Sequence, residues 1–212
     1  DVVLTITSDD TGEATVTSTL TFTSANWDTP QTVTVTGVDD DLVDGTITST
    51  ITIEIDDANS DDDFDTITNQ TVSITTTDDD VAGLTITETG GSTEVAESGT
   101  TDTFTIVLDA QPTSDVVLSI SSSDNSETTV TGTLTFSPVN WDTPQTITVT
   151  GVDDDLIDGL IASSITISVI DEISDNTFDN ISNESISVTT ADDDVAGFTA
   201  TETDGSTEVA ES

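Results

Sequence analysis

The chain has 212 residues and a formal charge of −44, all of it from Asp and Glu, and it contains no Lys, Arg, His or Cys. No side chain in it can pair with a phosphate, which excludes nucleic acid as an expected partner and disfavours anionic membrane surfaces. Catalysis by an imidazole, amine or thiol is excluded as well, so the chain is expected not to be an enzyme.

Such acidity suits a disordered chain, yet 32% of the residues are hydrophobic. They alternate with Thr and Ser, which is strand composition. No run is long and apolar enough to insert in a membrane. In chain order, a long internal repeat emerges first. Asp1-Val2-Val3-Leu4 returns at Asp115–Leu118, Asn26-Trp27-Asp28-Thr29-Pro30-Gln31-Thr32 returns unchanged at Asn140–Thr146, and Asp78-Asp79-Asp80-Val81-Ala82-Gly83 returns at Asp192–Gly197. Trp27 recurs as Trp141, an offset of 114 residues, which is the size of a domain. The chain therefore divides into 1–80, a repeat truncated at its N-terminus; 81–194, a complete repeat; and 195–212, the first strand of a further one. Position 1 falls in mid-pattern, so the chain reads as a stretch of something longer.

Within the complete copy, period-2 alternation predicts seven strands. The first covers 84–87 and continues through Val95. The others cover 103–108, 116–121, 133–136, 146–150, 165–170 and 185–189. Phe104, Ile106, Leu108, Val116, Leu118, Ile120, Ile165, Ile167 and Val169 form the inward set. No helical pattern competes. Seven strands in about 110 residues predict an all-β, immunoglobulin-like sandwich, repeated in tandem as an elongated array. Trp27 and Trp141 are expected to pack at a sandwich end beside Pro30 and Pro144.

The stretch Gly151-Val152-Asp153-Asp154-Asp155-Leu156-Ile157-Asp158-Gly159 sets four carboxylates into nine residues, and Gly37–Gly45 repeats it with Asp39, Asp40, Asp41 and Asp44. Two unit charges about 4 Å apart repel by roughly 4 kcal/mol at an effective dielectric near 20. A fold that gathers such groups without any Lys or Arg needs a cation from solution. An all-oxygen ligand set on loops favours Ca²⁺. Alternate strands of the sandwich end at one pole, which collects Glu97, then Asp124 and Glu127, then Asp153, Asp154, Asp155 and Asp158, then Asp192, Asp193 and Asp194. The first copy contributes Asp10, Glu13, Asp39, Asp40, Asp41, Asp44, Asp78, Asp79 and Asp80. The opposite pole carries Asp171, Glu172, Asp175 and Asp179 against Asp56, Asp57, Asp61, Asp62, Asp63 and Asp65. This difference in register reads as solvated loop.

The ordered set Val95-Ala96-Glu97-Ser98-Gly99, Gly151-Val152-Asp153-Asp154-Asp155 and Asp192-Asp193-Asp194-Val195-Ala196-Gly197 resembles the Calx-β domain. That family includes calcium-sensing domains of sodium–calcium exchangers and tandem repeats of large bacterial surface proteins. Leu134-Thr135-Phe136 followed by Asn140–Thr146 looks like the bacterial version. The resemblance implies a β-sandwich holding several Ca²⁺ ions at each junction with the next domain. It implies Glu97, Asp124, Asp153, Asp154, Asp158 and Asp192–Asp194 as ligands, with Asp10, Asp39, Asp40, Asp44 and Asp78–Asp80 as their counterparts in the first copy. The exchanger domains carry a further acid beyond the position matching Asp158. This chain has Ile161 and Ile47 there, which implies that the outermost ion is absent or more weakly held.

The expected function is structural: a segment of an extracellular, calcium-stiffened adhesin stalk or cell-surface fibre. Its partners would be neighbouring repeats of the same chain and, laterally or end to end, other copies. A calcium-sensing domain pair, or an acidic halophilic surface-layer module without specific sites, are the alternatives.

Overall fold

The structure is a computed structural model that describes residues 1–202, 205 and 209–211. It is all-β. Among the described residues, helix is limited to short 3-10 turns at Asp62–Phe64, Thr89–Gly91 and Asp171–Ile173. The chain divides into two compact units. The first is Asp1–Gly83 with Asp109–Ser114, and the second is Leu84–Leu108 with the chain from Asp115 onward.

The first unit contains β1 (Val2–Ser8), β2 (Ala14–Val16), β3 (Thr19–Phe22), β4 (Val35–Gly37), β5 (Ile47–Ile55) and β6 (Gln70–Thr76). One sheet runs β3-β1-β5-β6, and β2 pairs only with β4.

The second unit contains β7 (Leu84–Glu88), β8 (Thr93–Ala96), β9 (Thr101–Leu108), β10 (Val116–Ser122), β11 (Thr128–Val130), β12 (Thr133–Phe136), β13 (Gln145–Gly151), β14 (Leu160–Val169) and β15 (Glu184–Ala191). Its sheets run β12-β10-β14-β15-β8 and β11-β13-β9-β7. All pairings are antiparallel except β15 with β8, where Ala191 lies beside Ala96. The core between the sheets is the inward parity of each strand. Phe104, Ile106 and Leu108 on β9 are buried with Val116, Leu118 and Ile120 on β10, Ile147 and Val149 on β13, and Ile165 and Ile167 on β14. Each such side chain contributes roughly 1.5–3 kcal/mol by leaving water.

Two features differ from the sequence expectation. The strand expected to run from 84 to Val95 is two strands, split by the turn at Thr89–Gly91: β7 joins one sheet and β8 the other. The short β11, which three residues of alternation cannot reveal, splits from β12 in the same way. Each sheet therefore ends on one half of each switching strand. Those edges are four or five residues long at most, or three in β11, and short edges resist pairing with other chains. The second difference concerns Trp27, which is 72% exposed rather than packed at an end. The corresponding Trp141 is half-buried, and its carbonyl accepts the Leu108 N–H of β9 (3.2 Å). The first unit has no strand in that position.

The expected first strand of a further repeat falls partly outside the described residues, at 203, 204, 206–208 and 212. Residues 195–202 carry no regular structure.

The unchanged Asn-Trp-Asp-Thr-Pro-Gln-Thr segment is explained by its turn. Asn26 Oδ1 accepts the Thr23 N–H and Gln31 Nε2 donates to the Thr21 carbonyl at 2.8 Å. Asn140 and Gln145 repeat both bonds to Ser137 and Thr135.

A close backbone approach fixes β13 beneath β8. A Cβ at Gly151 would sit 2.1 Å from the Ala96 carbonyl oxygen, whereas at the corresponding Gly37 it would meet only the Thr76 Cγ2 at 3.8 Å. Gly151→Ala should therefore destabilise the second unit by about 1–3 kcal/mol, and Gly37→Ala should leave the first nearly unchanged. Thermal unfolding of the two variants checks this. Equal effects would show that the approach at Gly151 is not a constraint.

Candidate metal centre

β8 ends in the pattern Thr93 in, Glu94 out, Val95 in, Ala96 half-buried, Glu97 in. The parity that buries Val95 buries Glu97 as well, at 1% exposure, and the Glu97 N–H is fixed to the Ala191 carbonyl (3.0 Å). Both Glu97 carboxylate oxygens lack a hydrogen-bond partner. A buried carboxylate without donors carries the full cost of lost hydration.

Its surroundings are acidic. Glu97, Glu127 and Asp158 each offer an oxygen within 4.8 Å of the others, and so do Glu97, Asp192 and Asp194. Glu97 is common to both groups. Glu127 is 5% exposed, and its Oε2 is unpartnered, as is Asp194 Oδ2. Burial, reinforced by Asp158, Asp192, Asp154 and Glu127, pushes the Glu97 carboxyl up to about 7. Burial followed by the charge of Asp158 raises Glu127, and burial followed by Asp192 raises Asp194. Asp192 is shifted the other way because its carboxylate accepts the N–H groups of Gly159 (2.8 Å) and Asp194 (2.7 Å). Gly159 presents that N–H from a backbone at φ 81°, a conformation costly for any residue with a side chain. The Asp192 carboxylate is thereby held ionised at the mouth of the group.

The first unit repeats part of this. Glu13, Asp40 and Asp44 offer oxygens within 4.8 Å of one another. Asp78 Oδ2 accepts the N–H groups of Asp44 (3.0 Å) and Gly45 (2.7 Å), with Gly45 at φ 78°. Burial, then Asp44, raises Glu13. No buried counterpart of Glu97 accompanies this set among the described residues.

The remaining acids expected as ligands stand around these groups. Asp124 Oδ1 is engaged by the N–H and hydroxyl of Ser126, and Asp10 Oδ1 by the Gly12 N–H (3.0 Å). Asp154 accepts the Leu156 N–H (2.7 Å) while adding its charge to the field at Glu97. Asp153 and Asp193 are exposed and act on Asp194 through their charge; Asp39 and Asp79 do the same for Asp80, whose carboxyl is raised by burial first. The residues that turn inward from the two acidic turns are instead Glu127 and Glu13, three positions after Asp124 and Asp10. The signal was present: Asp followed two residues later by Ser or Gly forms a side-chain-capped turn. Such a turn occupies the Asp and leaves the following Glu at the head of a strand.

The opposite pole corrects the reading of a solvated loop. Asp175 is 3% exposed and its Oδ1 accepts the N–H (3.0 Å) and hydroxyl (2.7 Å) of Thr177. Asp57, Asp61 and Asp65 stand at the 114-residue offset from Asp171, Asp175 and Asp179, so this acid triplet keeps its register while the acids around it vary. Burial, and then a hydrogen bond that the protonated Asp179 carboxyl donates to Asp171, raise Asp179.

Donor chemistry and burial fit a hard divalent cation. The ligand atoms are all oxygens, several are buried and orphaned, and no Lys, Arg or His exists to neutralise them. Ca²⁺ fits these residues through Glu97, Glu127, Asp158, Asp192 and Asp194.

No family model matches the chain, and no curated protein matches it. Among solved structures it is similar to the apo-form Calx CBD1 domain, at 16% identity over 52% of this chain and 98% of that one, with a TM-score of 0.37. It is also similar to the S-layer protein rSbsC(31–844), at 16% identity over 89% of this chain and 20% of that one, with a TM-score of 0.40. Domains 4 and 5 of SbsC give 14% identity over 89% of this chain and 70% of that one, with a TM-score of 0.38. Identities and scores of this size leave function to be read from the acids themselves.

The raised Glu97 carboxyl sets a pH dependence. Below about 4.5 it is protonated in the folded and unfolded chain alike, and its contribution is fully present. As pH rises from there to about 7 the unfolded chain gives up the proton while the folded chain keeps it, so the folded state binds more protons and stability falls with pH. In metal-free buffer the wild type should lose stability across that window relative to Glu97→Gln, and at pH 8 the variant should be the more stable. Denaturant midpoints at a series of pH values measure this. Parallel curves for the two proteins would remove Glu97 from the account.

Proposed function

We propose that the chain is a structural, non-catalytic segment of an extracellular tandem-repeat protein of the cell surface, an adhesin stalk or fibre, whose repeats are stiffened by Ca²⁺ bound at the acidic poles. The observation that carries this reading is Glu97: a carboxylate fully removed from water, with both oxygens unpartnered, facing Glu127, Asp158, Asp192 and Asp194. A solvated acidic surface has no reason to bury one of its acids. That point favours specific sites over general halophilic acidity, which spreads charge over exposed positions. Two near-identical copies favour an array over a sensor, because each copy brings the same acids again at the same offset.

Ca²⁺ supplies positive charge and replaces lost hydration. The residues of the chain do the positioning. Asp78 joins the end of β6 to the turn at Asp44 and Gly45, and Asp192 joins the end of β15 to Gly159. In both copies the acid that leaves the last strand is thus tied to the acidic turn of its own sandwich. Only Asp79 and Asp80 separate Asp78 from Val81, with no Gly/Ser spacer between them, so an ion held there would restrain the chain as it leaves the domain.

Two measurements test this. Thermal melts at constant ionic strength should rise by many degrees from EGTA to Ca²⁺, since one site at a free concentration about 100 times its Kd adds roughly 2.7 kcal/mol. Glu97→Gln should remove most of the rise in the second unit. Equal melting temperatures for the wild type would leave a halophilic surface and no specific site. Small-angle scattering of the chain should then give a narrower distribution of dimensions in Ca²⁺ than in chelator, and Asp78→Asn with Asp80→Asn should reproduce the chelated curve in Ca²⁺. Superimposable wild-type curves would reject stiffening even if Ca²⁺ binds.

A further inference from the structure

We propose that the metal centre of the second unit has a core-side member that is not an acid: the Thr190 hydroxyl, presented to the bound cation directly or through one bound water. The proposal rests on the cation reading of Glu97 and its neighbours, and it names an uncharged oxygen of that same site.

The inward parity of β15 runs Ile186, Val188, Thr190, and the next residue of that parity is Asp192. Val188 and Thr190 are both wholly buried. Packing alone calls for Val at such a position, since Val has the outline of Thr without its hydroxyl. Thr190 Oγ1 has no hydrogen-bond partner, so the hydroxyl has given up its hydration and received nothing in return. Other buried hydroxyls at this end of the unit are satisfied. Thr128 Oγ1 meets Ser122 Oγ at 2.8 Å and Ser163 Oγ at 3.2 Å. In the first unit, the corresponding Thr76 donates to the Glu13 carbonyl at 3.3 Å. Ser49 Oγ is the one other buried orphan hydroxyl among the described residues, and it has a plain cause: Ala14 stands where Thr128 partners Ser163. Thr190 has no such cause.

The strand ladder puts this hydroxyl beneath the acids. Thr190 lies beside Val95, and Ala191 beside Ala96, in the parallel pairing of β15 with β8. Thr190 is therefore diagonal to Glu97 on one face of the sheet, where a long side chain reaches its neighbour. It is also one inward position below Asp192, which shares a group of converging oxygens with Glu97. The hydroxyl is a donor and the carboxylate an acceptor, yet Thr190 Oγ1 and both Glu97 oxygens remain unpartnered. A cation between them, or a water bound to one, satisfies all three. The charge balance agrees. Glu97, Glu127, Asp158, Asp192 and Asp194 bring more negative charge than one divalent cation offsets, while Ca²⁺ takes about six to eight oxygens. Uncharged oxygens suit the places that remain.

The test uses the full chain with Thr190→Val and Thr190→Ser. In EGTA, Thr190→Val should melt at or above the wild type, because it removes an orphaned hydroxyl. In calorimetric titration with Ca²⁺ its affinity in the second unit should fall by about tenfold, and Thr190→Ser should restore most of the loss. A hydroxyl with a merely structural role moves both readings the same way. In a Glu97→Gln background, Thr190→Val should weaken binding no further. Wild-type affinity in Thr190→Val would overturn the proposal while leaving the acids as the site. So would equal destabilisation of Thr190→Val in EGTA and in Ca²⁺, or a Thr190→Ser variant that binds no better than Thr190→Val. Absence of Ca²⁺ binding by the wild type would reject the cation reading itself, and this proposal with it.

Discussion

The absence of any positive side chain is the constraint on which the rest of this structure depends. In most proteins a buried acid is matched by Arg or Lys, or by backbone N–H groups that accept its charge into a hydrogen-bond network. Here only the second device exists, and it is used selectively. Asp78, Asp192 and Asp124 each collect N–H donors that hold their carboxyls below the usual carboxylate range, and Asp10 accepts the Gly12 N–H. Glu97 and Glu127 collect none for the oxygens that face inward. The fold therefore separates its acids into those it satisfies and those it leaves for something else. Of the four acids with an unpartnered buried oxygen among the described residues, Glu97, Glu127 and Asp194 converge on one end of the second unit, and Asp179 lies at the other.

That convergence is a product of topology. Glu97 follows β8, Glu127 precedes β11, Asp158 precedes β14 and Asp192 follows β15. These four chain segments are far apart in sequence and meet because β8 lies parallel to β15 while β14 lies antiparallel to it. The sheet switch at Thr89–Gly91 matters here. Without it, the first strand would stay beside β9, and the carboxylate following it would end in the other sheet, away from Asp192. The feature that the alternation pattern missed is the one that brings Glu97 to its place.

How much of this was legible in the sequence differs by level. The all-β sandwich and its inward residues follow from alternation, because a half-buried strand must alternate whatever its neighbours do. The sheet switches did not follow, because both halves of a switching strand keep the same alternation and only pairing distinguishes them. At the acidic end the pole is readable from strand direction, with Asp124 and Glu127, and Asp10 and Glu13, placed there together; that the Glu of each pair is the more buried turns on a two-residue turn. There Asp spends its acceptor capacity on its own backbone. Acids of the opposite pole misled by their number: the invariant offset of Asp57, Asp61 and Asp65 was hidden among extra acids with no counterpart.

The two copies form an internal experiment on what determines strand formation. Residues 31–37 and 145–151 have almost the same sequence, the same preceding turn and the same hydrogen bonds from Asn and Gln within it. One forms three residues of strand and the other seven. Propensity is equal, so the difference lies in tertiary pairing, in keeping with the view that strand preference is largely a measure of what lies alongside. The same logic applies to Trp27 and Trp141, whose exposure differs with the presence of β9 and not with their immediate neighbours.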